Sequence, residues 1–241
     1  MISANEIKYI KSLQQKKFRD EYGLFTVEGE KLVGEALRSG WTVESVWRRD
    51  EIGEKAMERI SALASPSPVL AVVRKRPDTV LAEPPVPACG LYLALDGIRD
   101  PGNLGTILRT ADWYGLDAVY ASPGTVDLYN PKVVQATMGA IFRVRFHYTA
   151  LPELCRRWTG PVYGTFLDGE NIYSKTLETG SGRPALVITG SEADGISPEV
   201  AACVTERLYL PPWPEDDPGS ESLNAAVATA LTLAEFRRRT I

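Results

Sequence analysis

Five polar side chains with chemical potential fall in or just after three turns of this chain. Asn103 and Arg109 belong to DGIRDPGNLG and the residues that follow it, Glu192 to TGSEADGIS, and Ser222 and Asn224 to LPPWPEDDPGSESLN. The set offers amide and hydroxyl donors, one carboxylate and one fixed positive charge, with no neutral nitrogen base. Such a set is better suited to holding a phosphate or a hydroxyl in place than to hydrolysis. The chain's single histidine, His147, follows FRVRF and reads as structural, so neither a Ser-His-Asp triad nor a histidine metal site has support.

The turns also fail as ordinary nucleotide loops. Gly97 and Gly102, and again Gly190 and Gly195, have G-x-x-x-x-G spacing, but Asn103-Leu104 and Ile196-Ser197 stand where a phosphate loop needs Lys-Ser/Thr. No G-x-G-x-x-G follows a strand-like run, which removes the dinucleotide fingerprint and with it a nucleotide-dependent oxidoreductase.

Around these turns the sequence alternates. Ser3-Ala-Asn-Glu6 is a capping box, and the apolar spacing after it predicts a helix from residue 4 to Gly23. Strand LFTVEG, helix EKLVGEALRSG, strand TVESVW, a helix over 51–64 and strand PVLAVV complete a small α/β unit. KRPDTVLAEPPVPACG, with four prolines, reads as a linker and sets a domain boundary near residue 88, giving domains 1–88 and 89–241. Beyond it come strand LYLALD, a helix from Asn103, strand DAVYAS, helix PKVVQATMGA, strand FRVRF and a helix near 150–158. Strands VYGTF, ALVIT and RLYLP and a long last helix follow. Strands apolar throughout and separated by helices predict a parallel sheet covered on both faces, with ligands beyond its carboxyl edge.

Composition is that of a globular protein: 241 residues, 44% hydrophobic and 24% charged. No stretch approaches the roughly 18 apolar residues of a membrane span, and MISANEIKYIKSL lacks a signal-peptide core, so a cytoplasmic protein is expected. Cys89, Cys155 and Cys203 lie far apart without CxxC spacing and are expected reduced and buried, with no zinc site. The net charge of −4 argues mildly against a general nucleic-acid binder. It conceals three basic patches: residues 1–19 at +4, Arg74-Lys75-Arg76 and Arg237-Arg238-Arg239.

GNLGTILRTA, LVITGSEADGIS and the LYLP…SLNAAVATAL pairing resemble, in order and spacing, the three motifs of the SpoU/TrmH family of RNA ribose 2′-O-methyltransferases, of the SPOUT class. The likeness spans residues 90–241. QQKKFRDEYGLFTVEGEKLVGEAL is similar to the substrate-binding domain of ribosomal-RNA members. The resemblance implies an α/β SPOUT domain with a C-terminal trefoil knot, S-adenosylmethionine as cofactor, and Gly190, Gly195, Leu210 and Leu223 around it. It implies Arg109 as catalytic arginine, with Asn103 and Glu192 orienting it and the substrate, and Ser222 and Asn224 shaping the pocket. Because free guanidinium groups stay protonated, Arg109 is expected to bind phosphate and stabilise alkoxide charge rather than act as base. Asn103 and Ser222 also sit where helices should begin and read as helix caps, Glu192 as a cap after Gly195, and Asn224 as locally bonded.

RNA is the implied partner, ribosomal RNA ahead of transfer RNA, with no metal and no membrane. The rival reading is a non-catalytic RNA-binding or ribosome-assembly factor. The last helix, apolar nearly all round and rich in alanine, is expected to bury both faces, and the resemblance implies a homodimer through it. One departure stands out: PPWPEDDPGSE is longer and more acidic than the family's short turn, and Glu215, Asp216 and Asp217 would repel RNA phosphate if they faced it.

Overall fold

The computed structural model describes residues 2–214 and 222–240. Glu215, Asp216 and Asp217 lie outside the described residues. Two compact units are formed, Met1–Pro77 with Asp127–Arg143, and Asp78–Val126 with Val144–Ile241.

The first unit begins with α1 (Ala4–Ser12), whose capping box closes reciprocally: Ser3 Oγ accepts from Glu6 N–H and Glu6 Oε2 accepts from Ser3 N–H at 2.8 Å. The helix expected to reach Gly23 breaks at Leu13–Gln15 and restarts as α2 (Lys16–Tyr22). Its freed carbonyls are satisfied from elsewhere. Arg19, only 2% exposed, donates to Leu13 O and Gln14 O at 2.9 and 2.8 Å and pairs with Asp127 at 2.7 Å.

Strand β1 (Leu24–Glu28), α3 (Glu30–Arg38), β2 (Val43–Arg48), α4 (Arg49–Ile52), α5 (Glu54–Ile60) and β3 (Val69–Arg74) follow. The helix expected over 51–64 is thus two short ones, parted at Gly53, which holds φ +86°. The sheet is antiparallel in the order β1-β3-β2. Residues 127–143 complete this unit, Tyr129 packing on Phe25 at 4.7 Å between ring centres and Phe142 edge-on to Trp41 at 5.3 Å. Nothing local in the sequence marks that excursion.

The second unit is built on β4 (Leu91–Asp96), α6 (Pro101–Trp113) and β5 (Ala118–Ala121). The chain then supplies α7 (Pro131–Thr137) to the first unit and returns with β6 (Phe146–Tyr148) and α8 (Leu151–Arg157). It ends with β7 (Val162–Asn171), β8 (Ala185–Gly190), α9 (Pro198–Ala201), β9 (Glu206–Tyr209) and α10 (Ala225–Arg238). All pairings in the six-stranded sheet β6-β5-β4-β8-β7-β9 are parallel, as the apolar strand pattern predicted.

The expected strand FRVRF shortens to Phe146 onward, since 140–142 form a 3₁₀ turn. Residues 78–88, expected as a linker, run with this unit: Leu81 N–H donates to Tyr148 O at 3.0 Å. His147 Nδ1 lies 2.6 Å from the Asp78 carbonyl, the structural place anticipated for it. Of the cysteines only Cys155 is buried, and burial pushes its thiol up to about 12; Cys89 is exposed, because it sits in the bend before β4.

Among the described residues no helix is long and apolar enough to cross a membrane. Nor is α10 buried all round. Val227 and Leu231 are 47% and 41% exposed, because only one face packs on α6 and β8.

Candidate active site at the switch point of the parallel sheet

Strands β4 and β8 are neighbours from which the chain departs in opposite directions, so their carboxyl ends form the crevice where α/β sheets place ligands. Each end is shaped by glycine. Gly97 holds φ +72° and donates its N–H to Ser122 Oγ at 2.9 Å. At Gly190 a Cβ would lie 2.1 Å from the carbonyl carbon of Gly195, so no other residue allows that backbone approach. Beyond it Ser191 and Gly195 exchange N–H···O bonds of 3.1 and 3.0 Å, closing TGSEADGIS into a tight turn. The buried Asp96 carboxylate, at the end of β4, accepts from Ser197 N–H at 2.8 Å and ties this turn to the first.

Three of the polar residues singled out in the sequence meet here. Asn103 Nδ2 donates to Glu192 Oε1, and Asn103 Oδ1 accepts from Asn224 Nδ2 at 3.0 Å. Asn224 Oδ1 in turn accepts from Ala226 and Val227 N–H at 3.0 and 3.3 Å. A carboxylate only accepts, so Glu192 fixes the orientation of the Asn103 amide, which fixes that of Asn224. One chain of bonds therefore locks the first motif, the second and the third.

Three expected caps are corrected. Asp100 caps α6, its Oδ1 accepting from Asn103 N–H at 2.8 Å with Pro101 next, and this leaves the Asn103 side chain to the network. Asn224, not Ser222, caps α10, and Glu192 caps nothing because it is held by Asn103. Ser222 is exposed and outside the network. Arg109 lies six residues along α6 from Asn103, about 9 Å of rise and a third of a turn away. It is exposed, on a stripe shared with Thr106 and Trp113. Leu210, half-buried, leaves β9 toward this crevice's third turn, and Leu223 is 47% exposed before α10.

Residues not anticipated from the sequence are Asp96, Ser122 and the buried pair Thr189–Thr229, whose hydroxyls bond at 3.0 Å between β8 and α10. The signal for Asp96 was a carboxylate ending an apolar strand. Runs 96–98, 189–197 and 208–210 contain three carboxylates and no cation, and Arg99 beside them pairs with Asp194 at 3.1 Å. The crevice is thus built for a ligand that is neutral or positive where it meets the turns. Among the described residues no group of three or more His, Cys, Asp or Glu side chains could hold a metal ion.

Residues 90–234 match the model of the SpoU rRNA methylase family, and residues 4–76 that of the MRM3-like substrate-binding domain. The chain is 31% identical to the 23S rRNA (guanosine(2553)-2′-O)-methyltransferase RlmP of Bacillus subtilis, over 96% of both chains. Among solved structures, a TrmH-family protein from Porphyromonas gingivalis is 41% identical, with TM-score 0.84 and 99% coverage of both chains. The AdoMet-bound rRNA methyltransferase of Sinorhizobium meliloti is 30% identical, with TM-score 0.86, covering 100% of this chain and 98% of its own. The chain belongs to the SpoU rRNA methylase family.

Proposed function

We propose that this protein transfers a methyl group from S-adenosylmethionine to a ribose 2′-hydroxyl of ribosomal RNA. The observation that carries the reading is the Asn103–Glu192–Asn224 network, which joins all three family motifs at the switch point. The turns fit the cofactor: carboxylates and glycine-shaped backbone, with no cation in 96–98, 189–197 or 208–210, suit a sulfonium nucleoside and disfavour a triphosphate. Gly190, Gly195, Leu210 and Leu223 are the residues that would surround it, and when bound it supplies a methyl group already activated by its sulfonium. Of the two domains expected, 1–88 and 89–241, we assign the first to RNA positioning and the second to catalysis, the matched segments being 4–76 and 90–234 and residues 78–88 running with the catalytic unit.

The protein's own work then falls on the ribose. Arg109, exposed on α6, binds the phosphate beside the target and stabilises alkoxide charge as the hydroxyl proton leaves to phosphate or water. Asn103, Glu192 and Asn224 hold the start of that helix against the turns of β8 and α10, with Ser222 at the mouth of the pocket. The turns after β8 and β9 are the ones we read as a trefoil knot. The exposed apolar residues Val227, Leu231 and Trp113 on α10 and α6 support a homodimer, which a monomer mass at micromolar concentration would contradict. The three free cysteines fit a reducing, cytoplasmic setting.

The test is methyl transfer from radiolabelled S-adenosylmethionine to ribosomal RNA isolated from cells lacking this protein, mapped by resistance to alkaline cleavage. One protected nucleotide is expected, and Arg109→Ala should lower the rate about 10²–10³-fold with cofactor affinity unchanged. No protection, or full activity of Arg109→Ala, would overturn the assignment.

A further inference from the structure

Within the first unit, the turn between α3 and β2 (residues 39–42) and the end of β3 with the residues after it (74–77) enclose a cleft of about 390 Å³, with Phe142 on its wall. That volume falls in the range of sites that hold a small organic ligand. Three cations line the cleft and no carboxylate does. Arg74 is held by Glu44, Lys75 by Asp20 at 2.6 Å, and the Arg76 guanidinium lies over the Trp41 ring at 5.7 Å. Trp41 is half-buried, edge-on to Phe25 and Phe142 at 6.1 and 5.3 Å, so its plane is fixed from behind. Aromatic and guanidinium planes beside fixed positive charge are the combination that receives an unpaired base and its phosphate.

We propose that this cleft binds one unpaired nucleotide of the RNA substrate, its base against Trp41 and Arg76 and its phosphate toward Arg74 and Lys75. The inference rests on the RNA reading above and adds to it the form of RNA recognised: a loop or bulge rather than a continuous duplex. A base stacked within a helix cannot lay its face on Trp41 or Arg76 without leaving its stack and its pair.

The test uses the full chain and a fluorescein-labelled eight-nucleotide RNA of mixed sequence, single-stranded or annealed to its complement, followed by anisotropy at two salt concentrations. Trp41→Ala and, separately, Arg76→Gln should each weaken single-strand binding about tenfold and duplex binding less, while Trp41→Phe retains it. Arg76→Gln changes an exposed side chain, so it reads the cleft even where Trp41→Ala unfolds. Unchanged single-strand affinity in Arg76→Gln, or equal losses on single strand and duplex, would overturn the proposal. Binding of S-adenosylmethionine, titrated in the same variants, should not change. If the wild type binds RNA through the cleft but binds no cofactor, the methyltransferase reading fails and the cleft stands.

Discussion

The two units solve opposite problems with opposite materials. In the first, an antiparallel sheet ends in a cleft of arginine, lysine and tryptophan, where charge and stacking do the recognising. In the second, a parallel sheet ends in glycine turns, amides and carboxylates, and the shape is made by backbone. The contrast teaches that overall charge is a poor guide to an RNA enzyme: a chain at −4 lines one cleft with three cations and no carboxylate, while the turns ending its parallel sheet carry carboxylates instead. Even the basic patches differ in use. Arg238 and Arg239 both bind Glu235, and Arg237 donates to Tyr114 O and Gly115 O at 2.7 Å, so the third patch clasps the end of α10.

If backbone shape makes the second site, its most damaging substitution removes no functional group. Gly190→Ala inserts a Cβ into the Gly195 backbone and should destabilise by roughly 3 kcal/mol, at the upper end of overpacking, with loss of cofactor binding. Thermal unfolding and titration would show it, and a variant that unfolds and binds like the wild type would break the contrast.

Asn224→Ala comes next. Losing the α10 cap should cost about 1 kcal/mol, and freeing the Asn103 amide should lower turnover as well. Because the two amides share one network, Asn103→Ala added to it should cost less than the sum of the single losses.

The smallest effect belongs to the clasp on α10. The Arg238 hydrogen bond, with Arg239, holds the buried Glu235 carboxyl at about 2, below its ordinary 4.5. A carboxyl depressed on folding stabilises fully above its unfolded value, and that stability drains away as pH falls from about 4.5 toward 2. Unfolding midpoints of Glu235→Gln should therefore depend less on pH across that window than those of the wild type.

Much of the second unit was legible in the sequence because its strands are apolar runs closed by Asp-Gly or Thr-Gly, and its turns carry the motif residues. The true cap of α6 also has a sequence signal: Asp100-Pro101 is a helix start, and Asn103 lies beyond it. The break in the first helix had no local signal at all. It depends on Arg19 reaching two carbonyls and on Asp127, more than a hundred residues away, which only tertiary packing brings near. For the same reason the cleft was invisible: Trp41, Arg76 and Phe142 belong to three separate segments.

The most direct measurement is calorimetric titration of the purified protein with S-adenosylmethionine, and separately with ATP and NADH. Saturable binding of S-adenosylmethionine alone is the result predicted by a crevice of backbone turns and carboxylates. Binding of ATP or NADH in its place would contradict it.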